Sequence, residues 1–194
     1  MNCLLRPVIL ILALAIAGHA QATSPGTLPV LQAKVTHPVL QDFMGGCSLR
    51  CAFFWETLGG TPAKPAPELC DDDAMTGWMA PPDWRNATIT FRLPRHLPPE
   101  CRDTPLYGLS VANGMIGTLK DFHSHARVKT MTLSVNGKPV ALLRLADTWK
   151  WQDFHFETIP LNQGDIIALT IGEIYPGKDP EPPVITEIVL QGGH

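Results

Sequence analysis

The sequence predicts an all-β chain folded as an antiparallel sandwich, and three observations carry that expectation. Residues 127–147 hold a hairpin signature, several further segments alternate in the same way between turn signals, and no convincing amphipathic helix lies between them. In the hairpin, Met131, Leu133 and Val135 face one way and Thr130, Thr132 and Ser134 the other, which is the two-residue period of a half-buried strand. Asn136-Gly137 supplies the two positive-φ residues of a type I′ turn. Residues 140–145 return as a second strand. They are apolar on both faces apart from Arg144 and are therefore expected well inside a sheet.

With 194 residues, the chain is long enough for one domain with a real core, and its 19 prolines and 16 glycines suit many turns. A net charge of −3 without any basic block argues against nucleic acid as a partner. Three regions are expected: a signal peptide over 1–22, a linker or flexible arm over 23–41, and the β-sandwich domain over 42–194. Arg6 precedes the apolar run 8–17, and Ala20-Gln21-Ala22 forms an A-x-A site, with cleavage after Ala22 or else after Ala20. The run is shorter than the ~20 residues that span a bilayer. The expected location is secreted or periplasmic, without a stable membrane span after cleavage.

Four cysteines follow that segment: Cys47, Cys51, Cys70 and Cys101. An even count in an exported chain suggests two disulfides with three possible pairings, of which Cys47–Cys51 with Cys70–Cys101 is preferred. The alternative, a zinc site, lacks the paired C-x2-C knuckles.

Along the chain, residues 42–60 carry both early cysteines and Phe53-Phe54-Trp55 without a clear period, and 61–67 is a Pro/Ala-rich loop. Asp71-Asp72-Asp73 opens a tight polar loop that ends on Trp78. Three successive carboxylates repel unless they are solvated or share a cation. An oxygen-rich loop suits Ca²⁺, although this one lacks the alternation of an EF-hand, and a solvated acidic turn is the plainer reading. Residues 87–93 alternate as a strand, with Ile89, Phe91 and Leu93 against Thr88, Thr90 and Arg92. Residues 94–105 form a Pro-rich loop, and 106–111 a strand closed by Asn113-Gly114. Residues 115–126 read as an exposed loop carrying Lys120, Phe122, His123 and His125. Further strands are expected over 152–161, 166–174 and 184–190. In the last of these Glu187 shares a face with Ile185 and Val189. A carboxylate among apolar neighbours needs a cation, and Arg127, Arg144 or Ca²⁺ are the candidates.

Catalytic signatures are sparse. No Gly-x-Ser-x-Gly, His-Glu-x-x-His or phosphate-loop pattern occurs, and no order of Ser, His and Asp suggests a triad. On a strand, His123 and His125 would face one side and could share a metal, but no third ligand stands at a diagnostic spacing. Two solvated histidines are the plainer reading. Sugar recognition needs a flat aromatic against a pyranose face and a few polar groups for hydroxyls. Phe122, Trp149, Trp151 and Tyr175 supply the first, with Lys120, His123, His125 and Lys150 as companions. Trp149 and Trp151 share a face if the chain is extended there. The competing reading is that they plug the end of the core, as Trp78 more clearly does.

The order of motifs resembles a known family. Asn113-Gly114, Arg127-Val128-Lys129, Asp147, the Gln152 strand, Tyr175-Pro176-Gly177 and Ile185-Thr186-Glu187-Ile188 follow one another as in the NAD glycohydrolase translocation, or NADase-type glycan-binding, domain. That domain is a discoidin-like relative of F5/8 type C modules. Cys47-Ser48 with Cys51, and the acidic loop before Trp78, resemble its earlier segments, so the likeness spans about residues 42–190. Met115 departs from the aromatic usual after Asn-Gly, His125-Ala126 precedes Arg127 in place of Asn, and Thr186 replaces Ser. The resemblance implies a galactose-binding-like jelly roll acting as a binding module, with carbohydrate as ligand class and without NAD hydrolysis. It also implies a structural Ca²⁺ at Asp71, Asp73, Thr76 and Glu187, with no cofactor required. The expected function is therefore an exported, non-catalytic module recognising glycan or another cell-envelope ligand through loops at one end of the sandwich. The alternatives are a protein-interaction or toxin-partner module of the cell envelope, and a small hydrolase of unknown type.

Overall fold

The computed structural model describes residues 27–35, 56–59, 64–69, 71–93, 105–179 and 182–192. The expected signal peptide, the aromatic cluster at 53–55 and Cys47, Cys51, Cys70 and Cys101 lie outside the described residues.

The strands in chain order are β1 (Val30–Gln32), β2 (Lys34–Val35), β3 (Glu56–Gly59), β4 (Lys64–Pro65), β5 (Trp78–Met79), β6 (Thr88–Arg92) and β7 (Pro105–Asn113). After a short helix α1 (Leu119–Ser124) come β8 (Ala126–Val128), β9 (Thr130–Val135), β10 (Lys138–Arg144), β11 (Gln152–Pro160), β12 (Ile166–Ile171), β13 (Ile174–Tyr175) and β14 (Pro183–Gly192). They form two sheets, ordered β1-β10-β9-β12-β6-β3-β4 and β13-β8-β14-β7-β11-β2, with β5 added on β14. Pairing is antiparallel except for the short β1–β10 and β14–β8 contacts. The chain is an all-β sandwich, as its alternation predicts.

The hairpin forms as read. Val135 pairs with Lys138, and Asn136 and Gly137 have φ of 51° and 76°, both in the left-handed region. Alternation sorts the core: Ile89 and Phe91, Met131 and Leu133, Ala141 and Leu143, and Ile167, Leu169 and Ile171 are buried from the first sheet. Leu109, Val111, Phe154, Ile188 and Leu190 of the second sheet join the same cluster. Burying a side chain of this size is worth about 1.5–3 kcal/mol, so the two facing layers supply most of the drive to fold.

Four local expectations change. β10 lies one strand from the edge; Ala141 and Leu143 are buried in the core, Val140 is half-buried against it at a break in register, and Leu142 is half-buried. Its second apolar stripe reflects the neighbouring β1, not a fully enclosed strand. Residues 30–35, read as linker or arm, form β1 on the first sheet and β2 on the second, so the segment straps the two layers together. The strand expected over 166–174 breaks at Gly172-Glu173, where the chain leaves β12 and crosses to the second sheet as β13.

The loop expected over 115–126 contains α1. Thr118 caps it: the hydroxyl accepts the Asp121 amide at 3.1 Å and donates to the Asp121 carboxylate at 2.6 Å. Such a cap satisfies a helix-start amide that would otherwise lack a partner. One and a half turns are too few to print a helical period on the sequence.

Candidate functional site

The registers gather the candidate loops at one end of the sandwich. Thr130 stands opposite Arg144, Met131 opposite Ile171, and Gln152 opposite Val111. The segments 114–126, 145–151 and 172–179 therefore all leave from this end. The acidic loop joins them through Trp78, which pairs with Ile185. A Cβ at Gly77 would meet Val184 and Met115, and one at Gly117 would meet Met75, so the two loops are in contact.

Arg127 is the hub of this end and is only 5 % exposed. One edge of its guanidinium grips Asp147, Nε and Nη2 donating at 2.9–3.0 Å. Its Nη1 donates to the carbonyls of His125 at 2.8 Å and Pro176 at 3.1 Å, and the group lies 4.9 Å from the Phe122 ring centroid. One planar cation thus fixes three loops, a task for which the rigid fork of arginine suits better than lysine.

The motifs around it have physical reasons. The Asn113 side chain bonds both backbone groups of Val128, tying β7 to β8. Gly114 has φ +88°, and a Cβ there would strike Arg127 and Phe122. Gln152, fully buried, bonds both backbone groups of Ala146 and closes the 145–151 loop. Thr186 donates to the Gly114 carbonyl at 2.6 Å. At Gly177 a Cβ would run into the Ser124 carbonyl and the backbone of His125 and Ala126. Gly177→Ala is expected to cost about 1–3 kcal/mol in chemical denaturation by forcing α1 away from the 176–179 turn. An unchanged midpoint would show that this turn is not held against the helix.

The ligand candidates divide. Trp149 is 48 % exposed; Trp151 and Tyr175 are half-buried. The chain bends at 147–150, so Trp149 and Trp151 are not set on one face by extended backbone, yet neither belongs to the core. Tyr175 donates its hydroxyl to the Leu145 carbonyl at 3.0 Å, which anchors its ring. Lys120 and His123 are exposed on α1, and His125 is half-buried at its C-cap. Phe122 is corrected: at 3 % exposure beneath Arg127 it is a packing residue, out of reach of a ligand. His123 and His125 sit on a helix end and not on a strand, so two-residue spacing turns them apart.

At the acidic loop, Asp71 accepts the Thr76 hydroxyl at 2.7 Å and the Asp73 amide at 3.0 Å, while Asp73 accepts the Met75 amide at 2.8 Å. Beside it lies Glu187, 3 % exposed, with both carboxylate oxygens buried and lacking a hydrogen-bond partner of acceptable geometry. Neither arginine serves it: Arg127 is committed to Asp147, and Arg144 lines a cleft on the flank. Burial first, and the neighbouring Asp71 carboxylate second, push Glu187 up to about 8. Slight burial works to raise Asp71, but the Thr76 hydroxyl, the Asp73 amide and the Glu187 carboxyl hold it below the ordinary carboxylate range. Two acids facing each other, with one buried and unpartnered, fit a bridging cation. Asp73 is not drawn into the same group, since no three His, Cys, Asp or Glu side chains gather around one point among the described residues.

Among the described residues, no helix is long and apolar enough to cross a membrane. No curated relative matches the chain. Residues 100–191, which span β7 to β14 and contain Arg127, Asp147, both rim tryptophans and Glu187 but not the acidic loop, match one family. The family is described as the NAD glycohydrolase translocation F5/8 type C domain, the one its motifs resemble, and the match covers those residues.

Proposed function

We propose that this protein is an exported, non-catalytic binding module that recognises carbohydrate through the loops at the Arg127 end of its sandwich. The observation that carries the reading is Trp149. It is 48 % exposed on a loop that Arg127 and Gln152 hold rigidly, next to half-buried Trp151. A fixed, solvent-facing indole offers an apolar plane to a sugar ring at little ordering cost. Export is read from Arg6, the apolar run 8–17 and the Ala20-Gln21-Ala22 site.

On a glycan array, Trp149→Ala and Trp151→Ala are expected to lose at least about tenfold in affinity while unfolding at the wild-type midpoint. Retention of binding in both variants would remove the rim from the site. A protein partner is the second reading. Met75 and Leu119, 63 % and 55 % exposed, stand on adjoining loops at the same end, with Met79 nearby at 45 %. Exposed apolar side chains grouped in this way favour protein contact. A silent array together with association that Leu119→Ser abolishes would favour it.

The same reading includes Ca²⁺ as a structural ion held by Asp71 and Glu187. Ca²⁺ takes about six to eight oxygens, and backbone carbonyls and water commonly complete a carboxylate pair. The unpartnered oxygens of Glu187 support it.

A further inference from the structure

A cleft of about 270 Å³ opens on the flank, where the N-terminal strap crosses from β1 to β2, and is lined by Gln32, Lys129, Thr130, Arg144, Ala146 and Tyr175 among others. It lies apart from the acidic loop and does not include the rim tryptophans. Two cations meet here. Lys129 is paired with Glu173 at 2.5 Å, both side chains being well exposed. Arg144 is exposed, and its guanidinium has neither a hydrogen bond nor an ion pair among the described residues. The Arg144 charge acts on Lys129 unfavourably and on Glu173 favourably, so all three stand within electrostatic reach. Glu173 is held by its backbone, whose carbonyl accepts the amides of Lys129 and Thr130 and whose amide donates to the Thr130 hydroxyl.

The rest of the lining is of a different kind. The Tyr175 ring is fixed by its hydroxyl bond to Leu145. Gln32 is exposed, and its carboxamide makes no hydrogen bond among the described residues. Among the described residues, two clustered cations with one carboxylate partner leave a net positive mouth. A fixed aromatic ring and the Gln32 carboxamide suit a ring with an apolar face and hydroxyls. We propose that this cleft is a second binding site, which takes a carboxylated monosaccharide unit of the hexuronate type, its carboxylate between Arg144 and Lys129. An anion alone would satisfy the cations but leave the ring and the amide without a role.

Calorimetric titration of the purified protein at low ionic strength tests this, with glucuronate, glucose, acetate and inorganic sulfate as probes. Glucuronate is expected to bind more tightly than each of the other three. Arg144→Gln is expected to weaken it about tenfold, the size of one charge-assisted hydrogen bond. Glu173→Gln is expected to tighten it, because Lys129 is freed for the ligand; a merely structural pair would not respond in that direction. Trp149→Ala is expected to leave it unchanged, so failure of the rim site and failure of the cleft are told apart. Equal binding of glucuronate and glucose, equal binding of sulfate or acetate, or indifference to both Arg144→Gln and Glu173→Gln would each overturn the proposal.

Discussion

In the presence of chelator, the unfolding midpoint of the wild-type protein is expected to fall as pH rises from about 5 to about 9, and Glu187→Gln is expected to abolish that fall. Glu187 is raised from 4.5 to about 8 in the folded chain. Between those values the folded state binds a proton that the unfolded state has released, so stability declines with rising pH. The contribution is complete below about 4.5 and gone above about 8. Its size is on the order of a few kcal/mol, or roughly 5–10 °C in a chain of this length. Glutamine keeps the shape and removes the charge, so the variant should melt above wild type at pH 8.5 in chelator. Ca²⁺ should restore the wild type at that pH and do nothing for the variant, and near pH 6, where Glu187 is still protonated, binding should release about one proton per ion. A flat pH profile in chelator, with the variant no better than wild type, would mean that Glu187 finds a partner in solution.

Arg127→Met is expected to cost about 3–5 kcal/mol, because it leaves Asp147 unpaired and the carbonyls of His125 and Pro176 without their donor. Methionine can fill the space over Phe122, so the loss reports mainly on polar anchoring. Arg127→Lys should recover only a minor part, since an ammonium cannot grip both Asp147 oxygens and reach two carbonyls at once. Asp147→Asn should cost less, its side chain being 42 % exposed against 6 % for Arg127. Denaturant titration measures all three. A loss under about 1 kcal/mol for Arg127→Met would show that the three loops hold without their hub. In that case the rigidity invoked for the rim tryptophans would go with it.

The proposed ion and glycan sites make separable demands. The proposed ion site uses Asp71 and Glu187, the latter in the buried first half of β14, whereas the rim depends on Arg127 and Gln152. Loss of the first should lower stability without altering the order of glycan preferences; loss of the second should do both.

Much of the fold was legible because it rests on local patterns. Alternation placed β6, β9, β11 and β14, and Asn136-Gly137 placed the turn, since each pattern follows from the backbone geometry of a few adjacent residues. Glu187 was legible as an anomaly for the same reason: a carboxylate in an apolar strand stands out wherever its partner lies. Its surroundings were not. Arg127 was an equally plausible counter-ion in the sequence, and only the fold shows it turned to Asp147.

What the sequence by itself determined is the all-β class, the central hairpin, the family motifs and the oddity of Glu187. Each is a property of neighbouring residues or of their order. Tertiary structure decided that residues 30–35 strap two sheets together, that Phe122 packs under Arg127 while Trp149 faces solvent, and that Lys129 and Arg144 share a cleft. Those facts depend on contacts between residues distant in the chain. Burial and charge proximity are set by how layers stack, which short-range periodicity does not encode.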